Sequence, residues 1–332
     1  MLATSLDILV GEASRPQIDA TLPRTLNVAV LIPCRNEALS IAKVVADFTA
    51  ALPEAAIHVY DNNSTDHTKT VARAAGARVR SEALAGKGNV VRRMFADIEA
   101  DVFVLVDGDD TYDARVAPEM VRLLCAGGLD MVTATRIGTD RQAFRPGHRF
   151  GNALLTGMVR LLFGDRISDV LSGYRAFSRR FVKSFPALAG GFETETEFTV
   201  HALELRMPIA EIPCAYRERP PGSASKLRTY ADGLRILRAI VALAKQERPL
   251  AFFAVLGGLL MLLGAAFGLP VVAEYLRTGL VPRLPTSVLA TGIELLGGLS
   301  CVCGLVLDSV SRGRKELKRL AYLAIPALPD PD

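Results

Sequence analysis

An α/β domain on a parallel or mixed sheet, followed by an interfacial helix and a two-helix membrane hairpin, is the fold this sequence predicts. Three observations predict it. Apolar, β-branched runs alternate with stretches of helical periodicity up to about Thr135, as in sheets covered by helices on both faces. From Leu250 to Ala273 there is no charged residue, and at about 1.5 Å per residue such a stretch crosses a hydrocarbon core of roughly 30 Å. A second stretch, Val288 to Leu307, is broken only by Glu294.

The elements follow in order. Leu26 to Ile32 reads as a strand and Ser40 to Ala51 as a helix, and Ile57 to Tyr60 and Thr65 to Ala75 repeat the pair. Ala77 to Arg80 is a short strand, Asn89 to Glu99 a helix, Val102 to Val106 a strand, Arg115 to Ala126 a helix and Met131 to Thr135 a strand. Further on, Tyr230, Leu234, Leu237, Val241 and Ala244 recur at spacings of four and three, with Arg235, Arg238 and Lys245 on other faces. That is the pattern of a helix lying on an anionic leaflet. The chain thus divides into an amino-terminal tail (1–25), a globular domain (26–228), an interfacial helix (229–248), two spans (249–308) and a basic tail (309–332).

Charge sets the expected topology. The first residues lack a basic segment and Asp7 interrupts their one apolar patch, so no signal peptide is expected. Arg235, Arg238, Lys245 and Arg248 precede the first span and Arg312, Arg314, Lys315, Lys318 and Arg319 follow the second, against Arg277 and Arg283 between them. The positive-inside bias places the globular domain and both ends in the cytoplasm, at the inner membrane. Gly264 and Gly268 form a GxxxG compatible with helix pairing and so with a homo-oligomer, and Glu294 is expected to snorkel to the non-cytoplasmic interface. Five cysteines without a CxxC pair and four scattered histidines speak against a disulfide framework or zinc site, and a net charge of +4 with no basic stripe speaks against nucleic acid.

The chemistry gathers at strand ends. Asp107-Gly-Asp109-Asp110 follows the strand Val102 to Val106, which projects its acids into the crevice at the sheet's carboxyl edge. Two carboxylates one residue apart offer oxygen ligands to a hard divalent cation that bridges a diphosphate leaving group. An isolated D-x-D is more often a solvated turn, but this one has company. Pro33-Cys-Arg-Asn-Glu37 follows the first strand and Asp61-Asn-Asn-Ser-Thr-Asp66 the second, while Gly86-Lys87-Gly88 sets an ammonium and open backbone before a helix, a layout suited to phosphate.

With Ser172-Gly-Tyr-Arg175 and Gly222-Ser-Ala-Ser-Lys226, these motifs resemble family-2 glycosyltransferases, over roughly residues 26 to 247. The likeness is to the polyprenyl-phosphate branch that includes dolichol-phosphate mannose synthases. The resemblance implies a GT-A fold, a UDP- or GDP-sugar donor, Mg²⁺ or Mn²⁺, a polyprenyl phosphate acceptor and inversion at the anomeric carbon. It puts Pro33, Glu37 and Asp61 in a nucleoside pocket with Arg35 and Asn62 beside them, and Lys87 on phosphate. Asp107 and Asp109 match the metal and diphosphate motif, and Arg136 and Arg149 the phosphate-contacting arginines. Arg35 stands where many members have Tyr and Asn62 where a second Asp is common, so relatives' base and sugar preferences do not transfer. Thr111 stands where some relatives place a Gln metal ligand.

A lipid phosphate, with a second pKa of about 6, is mostly dianionic near neutrality and needs no strong base. Arg175, Arg217, Arg219 and Lys226, with Ser225 adjacent, are the candidates to hold it. Glu193 and Glu197, one helical turn apart, match acidic positions in relatives and would orient the arginines or the sugar. With a neutral lipid acceptor such as a diacylglycerol or ceramide, one of these glutamates would instead serve as the base. A non-catalytic membrane partner with this fold is the remaining alternative, against which intact Asp107, Asp109, Lys87 and Arg136 speak.

Overall fold

Strand β1 (Val28–Cys34) is apolar almost throughout and buried at all but one position, as required of a central strand with helices on both faces. The computed structural model describes residues 26–138, 156–161, 164, 167–188, 193–217, 241–242 and 245–328. Helix α1 (Ile41–Ala51) leads to β2 (Ala56–Asp61), α2 (Thr68–Ala74) to β3 (Arg78–Ser81), and α3 (Lys87–Asp97) to β4 (Val102–Leu105). Then come α4 (Ala117–Ala126), β5 (Met131–Gly138), β6 (Arg175–Ser178), α5 (Arg179–Ser184), α6 (Thr194–Glu204) and β7 (Ile209–Tyr216). The strands form one sheet in the order β3-β2-β1-β4-β6-β5-β7. Its pairs are parallel except those of β6, which runs antiparallel between β4 and β5.

Side chains leave each strand to alternate faces, and two cores result. Ala29, Leu31, Phe103 and Leu105 meet α3, α5 and α6 through Val91, Met94, Phe95, Phe181 and Phe198. Val28, Val30, Ile32, Val102 and Val104 meet α1, α2 and α4 through Ile41, Phe48, Ala72, Met120 and Leu124. The expected elements are present with shifted bounds. Two shifts matter: β5 extends to Gly138, which places Arg136 within the strand, and α3 begins at Lys87 itself.

Helices α7 (Pro249–Thr278) and α8 (Leu284–Leu323) are long and apolar enough to cross a membrane, with mean hydropathies of 2.4 and 1.8 over their most apolar segments. They pack through small residues seven apart, Gly257 and Gly264 facing Ala290, Gly297 and Gly304. A Cβ on Gly257 would lie 2.7 Å from Cys301 Sγ, and one on Gly304 2.9 Å from Phe253 Cβ. The seam is therefore a run of close approaches within one chain, and both glycines of the GxxxG face α8, Gly264 against Glu294 and Gly268 against Ala290, whose Cβ would lie 3.5 Å from one added at Gly268. Gly264 sits midway along α7 and carries Glu294 directly: a Cβ there would stand 2.8 Å from Glu294 Oε1. Glu294 thus lies in the hairpin seam instead of reaching back to the helix end.

The segment expected to be a basic tail is helix as far as Leu323 and rests on the globular domain. Lys318 Nζ lies 2.6 Å from the Glu204 carboxylate, and Tyr322 Oη donates to Asp130 at 2.8 Å while Arg180 covers its ring at 4.8 Å. Lys315 pairs with Glu247 at 3.0 Å. Glu204 is almost wholly buried, so Lys318→Ala strands a carboxylate. We expect a loss of about 2–3 kcal/mol, less than for a fully buried pair because the ammonium keeps some water. Hydrogen exchange checks this: amides of 309–323 should lose protection selectively, and unchanged protection there would contradict the docking. The interfacial helix predicted from Tyr230 lies mostly outside the described residues.

Candidate active site

The carboxyl edge of the sheet brings four loops together. After β4, Gly108 separates the two acids because nothing larger fits: a Cβ there would stand 2.5 Å from Cys34 Sγ. Asp109 is buried, and its Oδ1 accepts from Thr111 Oγ1 at 2.7 Å and the Thr111 N–H at 3.3 Å. Thr111 therefore orients Asp109. Asp110 adopts a left-handed φ of 59° and is tethered by Lys43 at 2.7 Å, which holds the turn that aims the pair.

Lys87 opens α3 behind Gly86, whose φ of 125° no larger residue adopts readily. Its Nζ lies 2.5 Å from Asp107 Oδ1 and 2.5 Å from Glu195 Oε1. Burial works against the ammonium charge, but the Asp107 and Glu195 carboxylates outweigh it and hold the lysine above its ordinary range. Asn62 braces the loop before it: Nδ2 donates to Glu82 O at 3.0 Å and Leu84 O at 2.8 Å, and Oδ1 accepts from Gly86 N–H at 2.7 Å. The amide expected beside the nucleoside is thus committed to backbone. Gly173 closes the far side, where a Cβ would lie 2.4 Å from Asp107 Oδ2.

Glu195 escaped the sequence reading, which favoured Glu193 and Glu197. In the structure Glu193 is exposed just before α6, and Glu197 accepts from the Leu188 N–H at 2.8 Å. Glu195 turns inward, 5% exposed, and its Oε2 is buried without a partner. A signal existed: Glu195, Phe198, Thr199 and Ala202 fall at i, i+3, i+4 and i+7, the inward stripe of the helix.

Arg136 is gripped by Asp169 through two parallel bonds, Nε at 2.8 Å and a terminal nitrogen at 2.7 Å, and lies 5.7 Å from the Tyr216 ring centre. Burial alone would raise the Asp169 carboxyl, but Arg136 holds it below its ordinary range. Glu211 anchors the loop beneath, accepting from Ser168 N–H at 2.9 Å. Neither Asp169 nor Glu211 stands in a motif that marks it.

At the β2 end Asp61 is fully buried; Oδ2 accepts from Ser64 N–H at 3.2 Å while Oδ1 has no partner. Glu37 is buried nearby with its N–H on Thr68 Oγ1, Pro33 pairs with Tyr60 across β1 and β2, and Arg35 is exposed. Arg217 follows β7 with its N–H on Thr111 O at 2.9 Å, beside the acid pair. Arg175, expected on the acceptor, is instead sealed inside: it is 0% exposed and donates to Ser172 O, Val170 O and Thr199 Oγ1. Arg149, Arg219, Ser225 and Lys226 lie outside the described residues.

Among the described residues no group of three acidic, His or Cys side chains would hold a metal unaided. A pair of carboxylates nevertheless fits the kind of cation that completes its shell with substrate phosphates and water.

A mixed sheet with an acid pair, a part-buried lysine bound to it and a clamped arginine at its carboxyl edge is the GT-A-like architecture of a glycosyltransferase. Residues 29–185 match Glycosyl transferase family 2, and the chain belongs to that family. It is similar to Glycosyltransferase AglJ of Haloferax volcanii, 32% identical over 309 residues that span 91% of this chain and 100% of that one. A dolichyl-phosphate hexose transferase of the same organism is 29% identical over 222 residues, 67% of this chain and 96% of that one. Among solved structures, glucosyl-3-phosphoglycerate synthase of Mycobacterium tuberculosis in complex with Mn²⁺, UDP-glucose and phosphoglyceric acid superposes with a TM-score of 0.52 at 23% identity, covering 67% of this chain and 79% of that one.

Proposed function

We propose that this glycosyltransferase moves one sugar from a UDP- or GDP-sugar to a polyprenyl phosphate at the cytoplasmic face of the inner membrane, inverting the anomeric carbon and using Mg²⁺ or Mn²⁺. The observation that carries the reading is the joining, in one chain, of the Asp107–Asp109–Lys87 edge to two apolar helices long enough to cross a bilayer. The likeness to a dolichyl-phosphate hexose transferase supports the acceptor, and the Mn²⁺ and UDP-glucose of the structural neighbour support the donor side.

Each group has a task. Asp61, with its unpartnered Oδ1, and Glu37 are suited to accept hydrogen bonds from the base or ribose, with Pro33 and Arg35 at the same strand end. Asp107 and Asp109 would hold the cation, which when bound supplies charge neutralisation for the leaving diphosphate. Arg136, fixed by Asp169, adds positive charge where that diphosphate develops. On the acceptor side Arg217, Arg219 and Lys226, with Ser225, hold an already ionised phosphate in line with the anomeric carbon, and Arg149 serves as a second phosphate contact. No proton need be removed, so Glu193 and Glu197 have no obligatory role.

The test incubates membranes with radiolabelled nucleotide sugars and polyprenyl phosphate. One sugar should pass to the lipid. Arg219→Ala and Lys226→Ala should raise the apparent acceptor KM with donor binding intact, while Glu193→Gln and Glu197→Gln keep most of the rate. Silent cation variants together with a glutamate variant slowed about a hundredfold or more would establish a hydroxyl acceptor instead.

A further inference from the structure

Lys87 stands where it obstructs the acid pair. Its ammonium sits on Asp107 Oδ1 at 2.5 Å, on the same carboxylate a bridging cation would use. Gly173 packs closely on one side of the other oxygen, since a Cβ there would lie 2.4 Å from Asp107 Oδ2 and 3.2 Å from Lys87 Nζ, while the Asp107 side chain stays 30% exposed. An ammonium and a divalent cation on one partly buried carboxylate repel each other. One must yield, and the lysine is the one with a flexible stem and a second anchor.

That anchor is Glu195, also 2.5 Å away and 5% exposed. Its Oε2 is buried without a partner, so the carboxylate has capacity for a second bond from the displaced ammonium. The carboxylate itself is fixed: the next turn of α6 packs Phe198 into the core and ties Thr199 Oγ1 to the sealed Arg175 at 2.9 Å. The backbone of Lys87 is equally fixed by the Asn62 brace. Charge agrees with the exchange. Asp107, Asp109 and Glu195 outnumber Lys87, and even with the buried Arg175 guanidinium that Glu195 faces the cluster keeps a net negative charge for a cation to meet.

We infer that Lys87 competes with the divalent cation for Asp107, and that Glu195 is the positioning residue that takes over the ammonium when the cation enters and keeps it directed at the donor diphosphate. The inference rests on the metal-using reading above but not on the nature of the acceptor.

Mn²⁺ titration of the purified full-length protein in detergent, read by electron paramagnetic resonance without nucleotide or lipid, tests it. Lys87→Met should bind Mn²⁺ more tightly than wild type and Glu195→Gln more weakly, each by about ten- to a hundredfold, the usual range for neighbours of metal ligands. The double variant separates the roles. If Glu195 acts by receiving Lys87, Glu195→Gln costs little affinity once Lys87 is Met; if it acts only as a distant negative charge, the full deficit persists and the inference fails. Lys87→Met no tighter than wild type, or no Mn²⁺ uptake by either protein, also overturns it. Lys87→Gln repeats the test should the Met variant unfold. Polyprenyl transfer does not enter the readout, so a wrong acceptor assignment leaves this result untouched.

Discussion

Asp109→Asn should lower turnover by about 100- to 1000-fold, the range expected when a preorganised charge opposite a developing anion is lost. The substitution is nearly isosteric, and its amide oxygen still accepts from Thr111 Oγ1 and N–H, so the turn keeps its shape. What disappears is one of only two anions that Asp107 and Asp109 present to a cation, and the leaving diphosphate then develops charge against an undercompensated site. The loss should therefore fall on kcat at saturating donor with the melting temperature unchanged. Initial rates of sugar release from a labelled nucleotide sugar, beside a thermal melt, check both halves. A near-wild-type Asp109→Asn enzyme, or wild-type turnover surviving EDTA, would remove these acids from the mechanism.

Much of this site was legible because its chemistry sits in short segments at predictable places. The buried runs Val28–Cys34 and Val102–Leu105 are apolar on both faces, which marks them as parallel strands, and Ala56–Asp61 is apolar apart from His58 and the terminal Asp61; their polar followers fall at the carboxyl edge of the sheet. The helix-capping glycine before Lys87 and the acid pair after β4 need no long-range information to recognise.

What sequence could not convey is direction and partnership. Asn62 and Arg175 stand in the right motifs, yet one holds the 82–86 loop and the other the 170–172 turn, because backbone carbonyls claim both, Asn62's from a loop 20 to 22 residues away and Arg175's from the turn just before it, a choice of partner that the motif itself does not show. Glu195 was passed over for Glu193 and Glu197 because a one-turn spacing suggests a shared face without saying whether it points inward. Strand β6 is four residues long and antiparallel between parallel neighbours, and nothing local distinguishes it. The last turns of α8 resemble a solvated tail by charge alone. Their lysines instead find Glu204 and Glu247, more than 60 residues away in sequence.

Arg175 separates a motif's composition from its role most sharply, and Arg175→Met should cost the domain about 3–5 kcal/mol, a large share of the 5–15 typical of a folded domain. The guanidinium donates to Ser172 O at 3.0 Å, Val170 O at 2.7 Å and Thr199 Oγ1 at 2.9 Å, and lies 5.7 Å from the Phe198 ring centre. Burial pulls its pKa down to about 10, with Glu195 and Asp169 opposing the fall, so it remains charged at neutrality. Methionine fills much of the space but donates nothing, leaving two carbonyls and a hydroxyl without their donor in a dry interior. Lysine should rescue poorly, since one ammonium cannot reach acceptors spread around a planar fork. Because the turn it holds carries Gly173, which abuts Asp107, and the helix it ties carries Glu195, any folded fraction should lose kcat rather than acceptor affinity. Thermal unfolding and acceptor titration of Arg175→Met decide between the two roles: lower stability with an unchanged acceptor KM fits the sealed guanidinium, whereas wild-type stability with a raised KM would return Arg175 to the acceptor phosphate.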